Sequence, residues 1–320
     1  MKKMLLHKLN SKLMLEHLPK PICGDSKILI KVCFTGINFA DTLLIQGKYQ
    51  EKQQLPFSPG MEMSGIIVEI GEKVTGFEIN QRVIVFASSG GLSEYISVEP
   101  NRVISIPDEM SLKEAACFVI AYATSYLALN YRAKLKKGET LLISGAGGGV
   151  GISAVQIGKI MEANVIAVTN GKEKSNLAKK SGADFVIDIS IKPFKDFFSN
   201  LKRFDVVYDT VGGSFLREAI SFVNTEARVL PIGFASGEIP LIPANIFMVK
   251  NIDLIGFYWA KYIEYKPEIL KKSIFELFYF FKKGLIKPSI SKIFELEESN
   301  EAINLVKKRK SLGKVLVKIE

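Results

Sequence analysis

At 320 residues, 48% hydrophobic and 24% charged, the chain has the make-up of an ordinary globular protein of about two domains. Three widely spaced cysteines (Cys23, Cys33, Cys117) and only two histidines (His7, His17) argue against a disulfide framework, a thiolate zinc lobe and a histidine-based metal centre. The net charge of +10 comes from lysines scattered along the chain, the mark of a solvated surface rather than of specific nucleic-acid binding. No apolar run approaches the roughly 18 residues that span a bilayer, and Met1 to Leu18 has no secretory h-region. The expectation is a cytoplasmic protein without a membrane segment.

Residues 28–32, 65–70, 81–86 and 93–98 read as short strands punctuated by Gly60, Gly71, Asn80 and Gly90-Gly91. Such spacing predicts a mainly β, barrel-like domain. After Pro107 the texture changes. Ser111-x-x-Glu114 is a capping box that opens an Ala-rich helix, and 122–131 continues in helical style. From Glu139 onward, strands predicted at 140–144, 164–169, 185–188, 205–210, 227–233 and 252–257 alternate with amphipathic connections. That is the pattern of a doubly wound α/β parallel sheet. Pro267 and Gly284 bracket a further helix, and 290–320 returns to short strands plus one helix. The predicted division is 1–121 for the β domain, 122–264 for the α/β domain and 265–320 for a return to the first. The basic run Lys307 to Lys310 reads as an exposed loop.

The most informative stretch is Leu141-Leu142-Ile143-Ser144-Gly145-Ala146-Gly147-Gly148-Gly149-Val150-Gly151. An apolar strand runs into glycines and then into a helix with Val150, Ala154, Ile157 and Met161 at helical spacing. Unpaired N–H groups at such a helix start form a pyrophosphate seat. The working register is Ala146-x-Gly148-x-x-Gly151, which departs from strict G-x-G-x-x-G at its first position. A plain glycine-rich turn is the alternative, and the strand before and the βαβ rhythm after favour the seat. NAD-preferring domains of this type carry an acid about 20 residues beyond the glycines. Here Thr169 and Asn170 stand at the strand tip, followed by Lys172, Glu173 and Lys174. Positive charge there suits a 2′-phosphate and therefore NADPH, against the alternative of a lysine-rich surface turn.

Several ordered segments resemble one family: residues 36–41 (Gly-Ile-Asn-Phe-Ala-Asp), 59–65 (Pro-Gly-Met-Glu-Met-Ser-Gly), 68–71, 144–151, 182–184, 209–213 (Asp-Thr-Val-Gly-Gly) and 232–235. From about residue 28 to the C-terminus the chain resembles the zinc-free quinone oxidoreductase branch of the medium-chain dehydrogenases/reductases, the group that includes zeta-crystallin. The resemblance implies a GroES-like catalytic domain beside a Rossmann domain. Zinc-dependent members carry Cys where this chain has Asn38 and His where it has Met61. Near the third ligand position it reads Ile120-Ala121-Tyr122. Neither an amide nor a thioether is a normal zinc ligand, so no metal is expected.

The resemblance places Asn38, Asp41, Tyr49 and Thr124 around the nicotinamide and substrate. It assigns Ala146, Gly147, Gly148, Gly149, Val150, Gly151, Gly233, Phe234 and Phe257 to the cofactor. Asn38 and Tyr49 offer neutral donors to a developing oxyanion, whereas Asp41 also fits a helix-capping role. Without a metal to polarise a carbonyl, reduction of a quinone that delocalises the incoming charge is the expected chemistry. An NADPH-dependent enone or enoyl-thioester reductase and a non-catalytic NADPH-binding protein are the alternatives. A homodimer is expected through the apolar strand beginning at Ile252, unless the helix from Pro267 covers that edge.

Overall fold

Thr140–Ile143 is buried along its whole length, as a strand covered on both faces must be. It lies inside a six-stranded sheet ordered Phe185–Asp188, Asn164–Thr169, Thr140–Ile143, Phe204–Asp209, Val223–Pro231, Asp253–Leu254. Every pairing is parallel. The strand order runs outward from Thr140–Ile143 in both directions, which is the Rossmann arrangement, with its ligand crevice at the carboxyl ends where the order reverses. The computed structural model describes residues 1–320, and this sheet belongs to the unit Ala121–Lys287. The other unit joins Met1–Ile120 to Pro288–Glu320.

In the Met1–Ile120 unit the organising strand is Ile28–Ile37, longer than its predicted core because Phe34 to Ile37 continue the pairing. Seven strands form its main sheet, ordered Ile290–Glu295, Lys314–Lys318, Ile28–Ile37, Glu62–Ile70, Arg82–Phe86, Val103–Ser105, with Tyr95–Val98 also paired to Ile28–Ile37. This is the mainly β, GroES-like unit. Alternate residues Ile28, Ile30 and Val32 join Met63, Ile67, Val83 and Val85 in one apolar core, closed by Val315 and Val317. Register sets Gly36 opposite both Glu62 and Leu316. The chain on either side of these residues, Asn38 and Lys314, is thereby brought to the same end of the sheet.

Two expectations need correction. The predicted strand 252–257 is only Asp253–Leu254. Ile255 makes one more bond to Val229, after which Gly256 releases the chain and Phe257-Tyr258-Trp259 turns away with Trp259 buried. The helix Pro267–Lys282 lies in the Ala121–Lys287 unit, not in the segment returning to the β unit. Its apolar side, Leu270, Ile274, Leu277 and Phe278, is buried there. Phe280 meets Tyr126 edge-on at 5.9 Å, and Gln156 exchanges hydrogen bonds with the Lys287 backbone at 3.0 and 3.1 Å. The capping box is formed as expected, with Glu114 accepting from the Ser111 amide at 3.0 Å.

Candidate functional site

The glycine helix runs Gly149–Ile160, with Gly148 as its N-cap. Its first intrahelical bond is from the Ile152 amide to the Gly148 carbonyl, so the amides of Gly149, Val150 and Gly151 precede any helical acceptor. The glycines divide the work. A Cβ on Gly151 would lie 2.3 Å from the Gly145 carbonyl, so this glycine serves close packing of helix on strand. A Cβ on Gly148 would find its nearest atom at 3.5 Å, so the protein itself does not require glycine there; the space is open for a ligand. Ala146 is fully buried with its amide bonded to Val168, and it therefore shapes the loop from within.

A buried carboxylate pins this loop to the neighbouring strand. Asp209 accepts from the Ser144 hydroxyl, from the Val211 amide at 3.0 Å and from the Gly212 amide at 2.9 Å. Ser144 in turn accepts from the Thr210 amide at 2.8 Å. Burial raises the Asp209 carboxyl, and the Ser144, Val211 and Gly212 donors oppose that shift. The segment 209–213 was legible only as a resemblance; the structure shows that it braces the two strand tips flanking the crevice.

At the tip of the second strand Thr169 is 3% exposed and shares a 2.7 Å hydrogen bond with Ser175. Expected to face a cofactor, it instead closes the turn from inside. An acid does stand beside the tip, contributed by the adjacent strand: Asp188 pairs in register with Thr169. It accepts from the Gly171 amide (2.8 Å), the Ser190 amide (3.0 Å) and hydroxyl (2.7 Å), and the Ser175 hydroxyl (3.2 Å). Sequence spacing along one strand could not reveal a residue supplied by the next. Asn170 and Lys172 are exposed, and the stem of Lys174 lies where a Cβ on Gly147 would come within 2.6 Å of it. The stem of Lys174 thus lies against Gly147 of the glycine loop. Thr124, on the helix Val119–Tyr126, and Gly233, Phe234 and Phe257, just beyond the last two strands, are all half-buried. Phe234 packs over Gly212, and Phe257 over Tyr262 at 5.6 Å.

In the β unit, three polar side chains converge where none was expected to be so buried. Lys314 Nζ donates to Glu62 Oε2 at 2.8 Å and to Asn38 Oδ1 at 2.7 Å, with the Lys314 and Glu62 side chains 5% and 0% exposed. Glu62 Oε1 accepts from the Ile120 amide at 2.8 Å. Asn38 Nδ2 makes two longer contacts, 3.3 Å each, to Gly36 O and Glu62 Oε2. Glu62 and Lys314 escaped the sequence reading. The available signal was a lone lysine opening an apolar strand, Lys314-Val315-Leu316-Val317, but strand-end lysines are ordinarily exposed. Tyr49 is half-buried against the core of the same unit.

Asp41 is fully buried, which removes it from contact with reactants. Its oxygens accept from the Asn38 amide at 2.8 Å and the Gly60 amide at 3.0 Å, so it caps the helix Phe39–Ile45 and ties it to the 59–65 segment. Burial pushes its carboxyl up to about 6, against the opposing pull of those amides and of Lys314. A folded-state value above the unfolded one means stability present below about pH 4 and lost as pH rises through about 6. That rise corresponds to about 3 kcal/mol. Urea unfolding of the parent between pH 4 and 7 should therefore fall relative to Asp41→Asn by about that amount, although the variant starts lower for want of one acceptor. Parallel pH profiles would refute the assignment.

The sequence profile of the zinc-binding dehydrogenases matches residues 149–273, and that of the alcohol dehydrogenase GroES-like domain matches 24–108. Fold and glycine loop together define an oxidoreductase of the medium-chain dehydrogenase/reductase superfamily. Quinone oxidoreductase-like protein 2 of Bos taurus is 37% identical over 306 residues, covering 94% of this chain and 87% of that one. The chain belongs to the zinc-free quinone oxidoreductase-like family. Among solved structures, the quinone oxidoreductase of Thermus thermophilus matches with a TM-score of 0.88 at 27% identity, covering 100% of both chains. The Escherichia coli quinone oxidoreductase matches with a TM-score of 0.93 at 24% identity, also covering 100% of both, a likeness of fold. The residues do not fit the zinc that the first profile's name implies. Asn38 turns its oxygen to an ammonium, Met61 is a buried thioether, and no group of three His, Cys, Asp or Glu side chains could hold a metal.

Proposed function

We propose that the chain is an NADPH-dependent, zinc-independent reductase of a quinone-type acceptor. The turn after the second strand carries the cofactor reading. The acid beside it, Asp188, already accepts four hydrogen bonds and has little capacity left for a ribose hydroxyl, while Lys172 and Lys174 bring positive charge to the same turn. The Thermus thermophilus relative was solved in a complex with NADPH. The open space at Gly148 and the amides of Gly149 to Gly151 fit a pyrophosphate.

Bound NADPH would supply the hydride. The chain's part is to seat the pyrophosphate on the glycine helix, to balance a 2′-phosphate with Lys172 and Lys174, and to offer hydrogen bonds from Asn38 and Tyr49 to the acceptor. A quinone spreads the incoming charge over its own ring, so neutral donors suffice where a simple carbonyl would call for a metal. The test is an acceptor panel with NADPH and with NADH. Turnover of 1,4-benzoquinone or naphthoquinones supports the reading; turnover of conjugated enones alone assigns the chain to the neighbouring reaction, and tight NADPH binding without any turnover makes it a binding protein.

Replacing Lys172 and Lys174 together by alanine should weaken NADPH binding about tenfold to a hundredfold and leave NADH binding nearly unchanged, as measured by fluorescence titration. Equal affinities for both cofactors in parent and variant would remove the NADPH preference.

The same reading includes a homodimer and a cytoplasmic location. Ile239, Leu241, Met248, Val249 and Leu254 are exposed in the segment leading into the last strand, and Leu254 sits on the sheet edge. Pairing of that edge with a second copy would cover Leu254. Sedimentation should give about twice the 35.5 kDa chain mass, and Leu254→Pro should shift it towards monomer; a monomeric parent ends this part of the proposal. The three cysteines are all free, and no helix is long and apolar enough to cross a membrane.

A further inference from the structure

We propose that Lys314 is a positioning residue that sets Asn38 as a hydrogen-bond donor towards the oxygen of the acceptor. This rests on the reading of Asn38 as an acceptor-binding residue. An asparagine amide offers an oxygen on one side and an NH2 on the other, and which side faces a ligand depends on its partners. An ammonium has three donors and no lone pair, so it can only meet the oxygen. Lys314 Nζ lies 2.7 Å from Asn38 Oδ1, the shortest contact that the amide makes. That contact rules out the flipped amide. It leaves the NH2 edge held only by two 3.3 Å contacts, weak enough to be exchanged for a better acceptor.

The lysine is itself held with little freedom. It opens the strand Lys314–Lys318, whose register places Val315 opposite Ile37, the residue before Asn38. Glu62 balances its charge at 2.8 Å, and Glu62 is anchored in turn by the Ile120 amide. The pair is neutral as a whole, yet the ammonium is aimed at the amide oxygen. A cation there polarises the amide and strengthens its N–H as a donor, an effect enhanced by the burial of all three side chains. The polarity obtained is the one that an oxygen gaining negative charge requires. A purely structural pair would need only mutual neutralisation, and apolar isosteres could replace it without loss. Asn38 gives the pair a third partner that such a role does not explain.

Two readouts separate positioning from structure: kcat with 1,4-benzoquinone at saturating NADPH, and binding of 4-nitrophenolate, an oxyanion that needs no turnover, in the presence of NADP+. In the Lys314→Met/Glu62→Gln variant, which removes both charges, kcat should fall about tenfold to a hundredfold and phenolate affinity should fall with it. The Kd for NADPH and the circular dichroism spectrum should stay at parental values. Lys314→Arg, whose guanidinium also only donates, should recover most of the loss. Asn38→Asp keeps an oxygen for the ammonium but offers no donor, and it should lose kcat and phenolate binding together; it decides the matter if the double variant does not fold. Parental kcat and phenolate affinity in either variant would overturn the proposal, as would a loss of NADPH affinity in proportion to kcat. A parent that reduces no quinone would end the functional reading above, while the phenolate titrations would still decide the role of Lys314.

Discussion

A valine at Gly148 is expected to cost at least about a hundredfold in NADPH affinity while the protein keeps its fold. The position tolerates a side chain from the protein's own point of view, since the nearest atom to an added Cβ is 3.5 Å away and Gly148 is not at positive φ. What a branched side chain would fill is the open space at Gly148, and on the proposed reading a pyrophosphate must approach the backbone itself there. Gly151 is the control. An alanine there drives its Cβ to 2.3 Å from the Gly145 carbonyl and 2.7 Å from the Ala146 Cα, and should lower the melting temperature as well as the affinity. Thermal melts beside fluorescence titrations distinguish the two. A Gly148→Val protein that binds NADPH like the parent would show that the loop is only a turn.

The second large effect is on stability. Lys314→Met alone should cost about 3–5 kcal/mol, because it strands the Glu62 carboxylate at 0% exposure with no cation beside it. Adding Glu62→Gln should return most of that loss, since the neutral amide can still accept from Ile120. In a double-mutant cycle read by urea denaturation the double variant should therefore cost several kcal/mol less than the sum of the two single variants. Additive costs would mean that the two charges do not act as a pair. The interaction is worth measuring in this protein because the same side chains hold the amide on which the acceptor reading depends.

The Rossmann half was legible because its signals are local. The strand at 140–144, the glycine run and the helix after it occupy consecutive residues, and each obeys a short-range rule: apolar continuity for a doubly covered strand, missing Cβ atoms for a tight turn, 3.6-residue spacing for the packed helix. The strands at 164–169 and 185–188 emerged with the predicted bounds for the same reason. The last strand failed where local apolarity misled. Ile252 to Trp259 is hydrophobic almost throughout, but Gly256 and the buried Trp259 take the chain off the sheet after Leu254.

The polar groups tell a different story. Asn38, Thr169 and Lys174 could be nominated from the chain and Asp41 read as a helix cap, but their long-range partners could not be, since such a partner is chosen by register between strands and not by spacing along one. Asp188 reaches the turn after Thr169 because the strands ending in the two residues lie side by side. Asp41 meets Gly60, and Lys314 meets Asn38 and Glu62, across gaps that no periodicity spans. By itself the sequence determined the doubly wound sheet, the glycine-rich turn into a helix, the mainly β unit and the missing zinc ligands, all consequences of residue type and short-range order. Only the tertiary structure decided which carboxylates are buried and saturated, that the Asn38 oxygen meets an ammonium, and that a lysine at the start of the final strand is an interior cation. Desolvation and hydrogen-bond pairing depend on what packs against a group, and here those neighbours lie far away in the chain.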